Sequence, residues 1–312
     1  MTTFKMQGRD LLCLHDFASE EIYAILQLAA DLKSWQKRGK PHSYLHGKTI
    51  GMIFQKPSTR TRVSFEVAMY QLGGYALHLN PADLQLGRGE TIADTARVLS
   101  RYLDGIMIRT YAQKDVEELA RHAGIPVING LTDLLHPCQI LADLLTIKEK
   151  KGFLEGLKLA YVGDGNNICH SLLIGCAKTG VNISVASPAG YWPKPEIVEL
   201  ARQDAQQNKN SRIDIFTDPA EAVKDADAIV TDVWASMGQE SIAAQKSGAF
   251  AGYQVNDALV KYAKEDFIFL HCLPAHRGEE VAADIIDGPH SVVWDEAENR
   301  LHTQKAVLAM LL

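Results

Sequence analysis

Three hydroxyl groups and two guanidinium groups occupy the five consecutive positions Ser58-Thr59-Arg60-Thr61-Arg62. The apolar run Lys48–Phe54 precedes them and a helical pattern follows, so they lie on a strand-to-helix turn. A helix start offers unpaired N–H groups and a partial positive charge, which favours phosphate. Guanidinium groups on a first turn oppose that dipole unless something anionic compensates them. Glu66 lies one turn beyond Arg62 and can pair with it, which makes Arg62 structural and Arg60 the ligand-binding arginine. A capped helix with solvated arginines fits the composition too.

Other residues carry chemistry at comparable places. Arg109 ends the apolar run Gly105–Arg109, where it reads either as an ordinary edge arginine or as a cation facing a crevice. In His136-Pro137-Cys138-Gln139, Pro137 suits a first helical turn. His136 then stands just ahead of the helix, where it reads either as a structural histidine, the commoner case for a lone His, or as a donor to a carbonyl oxygen as charge develops. Asp232, with Ser236-Met237-Gly238, offers a carboxylate and a hydroxyl after the apolar run Ala228–Thr231. Such a loop can bind an amino acid, although Asp and Ser also simply initiate turns. His271-Cys272-Leu273-Pro274 follows Phe267–Leu270, and its thiol fits a nucleophile, a metal ligand or a small buried hydrophobe.

The elements that must hold these residues alternate. The run at 48–54 reads as a buried strand, and those at 75–79, 105–109, 157–162, 181–186, 228–231 and 267–270 read as further strands. A helix follows Ser58, with Val63, Val67 and Tyr70 and also Phe65, Met69 and Leu72 assigned to its buried side, and Gly73-Gly74 stops it. A second helix follows Gly163-Asp-Gly-Asn-Asn167 and ends near Gly180. The pattern predicts an α/β fold of two similar-sized domains, each a mostly parallel sheet flanked by helices. A connecting helix covers Ile140–Lys150, and a C-terminal helix from Glu298 packs back on the first domain.

Composition bounds the function. The 312 residues suit two domains, and 46% hydrophobic with 22% charged residues describes a globular chain. A net charge of −6 argues against nucleic-acid wrapping, so any anion site has to be local. Five scattered cysteines and no leader-like start point to free thiols and a cytoplasmic protein. The run Gly163-Asp-Gly-Asn-Asn167 imitates a dinucleotide-binding turn, but Ile168 replaces the third glycine and no acidic residue follows Ala186. Zinc on His271, Cys272 and His276 is disfavoured, because adjacent His and Cys cannot easily share one ion.

Taken together, these blocks resemble the aspartate/ornithine carbamoyltransferase family, and its ornithine-specific branch in particular. Ser58-Thr-Arg-Thr-Arg62, His136-Pro-Cys-Gln139, Asp232 with Ser236-Met-Gly238, and His271-Cys-Leu-Pro274 occur in the family's order across essentially the whole chain. Aspartate-specific relatives carry His-Pro-Leu-Pro at the last block. Putrescine and N-acetylornithine enzymes alter the first block or the Ser-Met-Gly loop, and both are intact here.

The resemblance implies a carbamoyl-phosphate-binding domain over 1–147 with 298–312, and an ornithine-binding domain over 148–297. It implies that Ser58, Thr59, Arg60, Thr61, Gln85, Arg109, His136, Gln139, Cys272, Leu273 and Arg300 bind carbamoyl phosphate. Gln85 would act in a neighbouring subunit of a homotrimer. Asn167, Asp232, Ser236 and Met237 would bind ornithine, with Cys272, Arg109, His136 and Asp232 catalytic. No metal or organic cofactor is implied, and the partners are the two substrates and further copies of the chain, without nucleic acid or membrane. The reaction would be direct amine attack through a tetrahedral intermediate, giving citrulline and phosphate, with the segment 239–252 closing over ornithine.

Overall fold

The computed structural model describes residues 6–80, 82–86, 88–235 and 243–312. The chain folds as two compact units, one of residues up to Leu145 together with Glu298–Leu312, the other of Thr146–Ala297. In chain order the elements begin α1 (Ser19–Lys37), β1 (Thr49–Phe54), α2 (Thr59–Gln71), β2 (Tyr75–Leu79) and α3 (Ile92–Leu99). They continue with β3 (Gly105–Arg109), α4 (Gln113–His122), β4 (Val127–Leu131) and α5 (Pro137–Lys151). Next come β5 (Lys158–Val162), α6 (Asn167–Thr179), β6 (Asn182–Ala186), α7 (Pro195–Gln207), β7 (Ile213–Phe216) and α8 (Pro219–Val223). The chain then runs through β8 (Ala228–Thr231), α9 (Ala243–Ala249), α10 (Asp257–Val260), β9 (Ile268–His271), α11 (Ala283–Ile286) and α12 (Val293–Leu311).

Each unit is built on a wholly parallel sheet, ordered β2-β1-β3-β4 in the first and β7-β6-β5-β8-β9 in the second. Strands covered on both faces read as unbroken apolar runs, which is why β1, β3 and β5 stand out in the sequence. Ile53, Ile106, Ile108, Val116, Leu119 and Val127 form a core in the first unit, and Val162, Ile229, Phe269 and Val281 belong to one in the second. Burying each such aliphatic side chain contributes about 1.5–3 kcal/mol.

Both sheets reverse their strand order, the first between β1 and β3 and the second between β5 and β8. Ligands of open parallel sheets bind beyond the carboxyl ends of the strands at such reversals. Those ends lead into Ser58–Thr61 and Arg109 in one unit, and into Asn166–Asn167 and Asp232 in the other.

Two sequence expectations need correction. Val63 and Tyr70 of α2 are exposed, at 51% and 81%, whereas the buried stripe is Thr61, Phe65, Ala68 and Met69 with Leu72 following. Val63 and Tyr70 stand seven residues apart on another side of the helix, where apolar type alone does not reveal the inward face. The C-terminal helix also starts earlier than Glu298, at Val293. Its segment from Glu298 belongs to the first unit, and Gly8 donates its N–H to the Leu311 carbonyl.

Candidate functional site

In the first unit Ser58 has extended backbone and caps α2, its hydroxyl accepting from the Thr61 N–H at 3.2 Å. No acidic residue occupies the first turn of α2, so its positive end is uncompensated by the helix itself. Arg62 turns away and donates to Glu66 at 2.9 Å. Arg109 ends β3, where the pairing with β4 shifts register between Ile108 and Arg109. The shift leaves Gly130 as the extra residue, and a side chain there would meet the Met107 sulfur. Such irregularities re-aim the side chain beside them.

Arg300 comes from the far end of the chain to the same place. Its guanidinium donates to the Gln139 side-chain oxygen at 2.6 Å and to the Thr61 hydroxyl at 3.2 Å. Gln139 passes the interaction on by donating to Asp143 at 2.8 Å. Arg109, His136, Gln139, Thr61 and Arg300 are all buried. Burial first, and then the charges of Arg300, Arg109 and Arg60, hold His136 well below its ordinary value. The charges of three guanidinium groups thus bear on a neutral imidazole, a combination that attracts a dianion and can donate a hydrogen bond without the imidazole carrying charge itself. The Cys138 thiol lies behind, pushed up to about 11 by burial, and donates to the Asn129 carbonyl.

In the second unit Asp232 follows β8 and Cys272 follows β9. The Cys272 thiol donates to one oxygen of Asp232 at 3.1 Å, and the Val233 N–H reaches that oxygen at 2.8 Å. The other oxygen accepts from the Asn166 amide at 2.7 Å. Asp232 is itself buried. Asn167 is the first residue of α6 and is buried beside this carboxylate's partner. The turn bearing both asparagines needs Gly165, since a Cβ there would lie 2.2 Å from the Pro193 nitrogen and 2.3 Å from the Trp192 carbonyl carbon. Asp164 accepts from the buried Lys246 of α9 at 2.5 Å, and Phe250 stacks on Trp234 at 5.6 Å.

Residues 9–149 match the carbamoyl-P binding domain of aspartate/ornithine carbamoyltransferase, and residues 155–311 match its Asp/Orn binding domain. The ornithine carbamoyltransferase of Pyrococcus horikoshii is 64% identical over 307 residues, covering 98% of this chain and 96% of its own. An anabolic ornithine carbamoyltransferase of Pyrococcus furiosus is 62% identical over 307 residues, covering 98% and 97%. A solved structure of the P. furiosus ornithine carbamoyltransferase superposes with a TM-score of 0.96 at 61% identity, over 99% of this chain and 98% of that one. The chain belongs to the aspartate/ornithine carbamoyltransferase family.

Set against the carbamoyltransferase expectations, the structure brings Thr61, Arg109, His136, Gln139 and Arg300 together in one unit, with Ser58 and Arg60 at the same helix start. Thr59 is exposed on that turn. Asn167, Asp232, Cys272 and Leu273 all belong to the other unit. Gln85 is exposed on the loop after β2, where its carbonyl accepts from the Arg88 N–H. Ser236 and Met237 lie outside the described residues, as do residues 239–242 of the segment expected to close. Residues 243–249 form α9.

Two contributors were not singled out from the sequence. Asn166 lies unremarked within the glycine-rich turn, and only its distance to Asp232 reveals more. Glu280, fully buried, accepts from the His271 ring at 3.1 Å and from the His276 N–H at 2.6 Å. The other nitrogen of His271 accepts from the Leu273 N–H at 2.9 Å. This staple holds both ends of the loop bearing Cys272, where Leu273 takes a φ of 59° that L-residues avoid. Asp232, His271 and Cys272 do bring ligand atoms within 4.8 Å of one another, despite the expectation for adjacent His and Cys. Both ring nitrogens of His271 are committed within the fold, however, so it would have to leave a partner to bind an ion.

Proposed function

We propose that the chain transfers the carbamoyl group of carbamoyl phosphate to the side-chain amine of L-ornithine, giving L-citrulline and phosphate. The observation that carries the acceptor choice is the buried Asp232 carboxylate at the strand reversal of the second unit. A carboxylate there attracts an ammonium or amine and repels the carboxylate side chain of aspartate. Support for the donor comes from the three guanidinium groups and the open end of α2 in the first unit.

The chemistry follows from these groups. An alkyl amine titrates near lysine's value, so roughly one part in a thousand is nucleophilic at neutral pH. Asp232 and Cys272 select or generate the neutral amine, a reading supported by their contact at 3.1 Å. Arg60, Arg109, Arg300 and the hydroxyls of Ser58, Thr59 and Thr61 hold the phosphate and neutralise it as a leaving group. Neutral His136, with Arg109, donates to the carbonyl oxygen as it becomes an oxyanion. Losing one such donor typically raises the barrier by about 3 kcal/mol. Attack is direct, without a covalent enzyme intermediate and without a cofactor.

The anabolic name of the P. furiosus relative supports a place in arginine biosynthesis. No described helix is long and apolar enough to cross a membrane, and the scattered free cysteines fit the cytoplasm. A homotrimer is supported by β2, an edge strand that exposes Tyr75 and Leu77 and leads into the loop carrying exposed Gln85. That loop reaches the neighbouring carbamoyl phosphate. A citrulline assay comparing ornithine, aspartate, putrescine and N-acetylornithine as acceptors tests the assignment. Ornithine should be preferred, and preference for any other acceptor would sink it.

A further inference from the structure

We infer that Asn166 is a positioning residue for the acceptor side of the reaction, fixing the plane of the Asp232 carboxylate from the end of α6. The inference rests on the reading of Asp232 given above and adds to it. The amide of Asn166 works in two directions at once. Its oxygen accepts from the Ile168 N–H at 2.9 Å and the Cys169 N–H at 3.2 Å, capping α6. The Tyr161 hydroxyl reaches the same oxygen at 3.4 Å. Its nitrogen donates to Asp232 at 2.7 Å. With donors on one side and a carboxylate on the other, only one orientation of the amide satisfies both.

Capping alone does not demand asparagine, because aspartate and serine cap helices equally well. The second task does demand it. An ionised aspartate at 166 would still cap α6 but would face Asp232 as a second acceptor, with like charges in contact. A serine would cap with its single oxygen and stop short of Asp232. Among the described residues the other donors on Asp232, the Val233 N–H and the Cys272 thiol, both act on its other oxygen. Asn166 is, among the described residues, the contact on the oxygen those two donors leave unheld, and together with them it fixes the turn of the carboxylate about its Cβ–Cγ bond. Its fixed plane determines which lone pairs an incoming amine meets. The same amide ties the carboxyl end of β8 to that of β5, the two strands flanking the reversal.

The test compares N166S, N166D and D232N in the full-length enzyme, measuring Tm and the kinetic constants for each substrate. N166S keeps a cap, so its Tm should stay within about 3 °C of the parent, whereas N166D keeps the cap but sets two carboxylates in contact and should lose more. For both, kcat/KM for ornithine should fall about ten- to a hundredfold, N166D further than N166S, while KM for carbamoyl phosphate changes by less than about twofold. Parental ornithine kinetics in both variants overturn the inference. So do equal losses toward both substrates that simply follow a lowered Tm, since that is what a helix cap alone would produce. D232N separates the two readings. Near-parental turnover in D232N removes the role of Asp232, and Asn166 with it. An inactive D232N beside active Asn166 variants removes only the role of Asn166.

Discussion

His136 is uncharged at neutral pH because burial and three neighbouring guanidinium groups all disfavour its protonated form. A neutral donor can be imitated by an amide. H136A should lower kcat about a hundredfold, whereas H136N should retain most of it, with the kcat curve between about pH 6 and 8 shaped as in the parent. A limb in that range that vanishes with the imidazole would show that a charged His136 is used instead. The sign of its stability effect follows as well. Below the ordinary histidine value of 6.5 the unfolded chain takes up a proton at this position that the folded chain refuses. Its contribution is therefore complete above that value and is lost as pH falls toward the lower folded value, so H136N should lose less Tm than the parent between about pH 7 and 5. What was legible at this scale was residue type near a strand end: Ser58, Arg60, Arg109 and Asp232 announce themselves as charge or hydroxyl after an apolar run. Asn166 and Glu280 did not, since a capping asparagine and a glutamate beside another glutamate are ordinary in sequence. Only proximity in space gives them work.

At the scale of elements, strand ends deliver the chemistry and short turns set its aim. Gly165 is the clearest instance, because the backbone of Trp192 and Pro193 occupies the space its side chain would need. G165A should destabilise the fold by about 2 kcal/mol or more, since a backbone cannot yield as a flexible side chain does. Ornithine kinetics should worsen more than carbamoyl phosphate kinetics, as the start of α6 is displaced and Asn166 with it. A urea titration alongside both KM values checks this, and unchanged stability would mean that the 188–193 loop moves aside freely. The sequence displayed the strands buried on both faces, because they are continuous apolar runs. It did not display β4, where Asn129 and Gly130 interrupt the pattern, nor β7, whose Ile213-Asp-Ile-Phe216 is short and alternating. The outward face of α2 was also misread, as Val63 and Tyr70 are apolar yet exposed.

At the scale of the molecule, exposed apolar groups on an edge strand ask for a partner. If copies of the chain meet along β2, then L77K should shift the enzyme from trimer to monomer in light scattering after gel filtration. Activity should fall with the trimer, because Gln85 would no longer reach its neighbour. An L77K enzyme that is monomeric and fully active would refute the shared site, and one that stays trimeric would move the interface elsewhere.

The return of the chain to its first unit has a consequence for synthesis on the ribosome. Nascent domains commonly fold in the order in which they emerge. Here Arg300 and the rest of Glu298–Leu312 are translated only after all of Thr146–Ala297, yet they belong with the residues made first. On the function proposed above, the first unit would wait for Arg300 while Thr146–Ala297 is already made. The unit begun first is thus completed only after the second has been made, and on the proposed function carbamoyl phosphate would meet Arg300 no earlier than that.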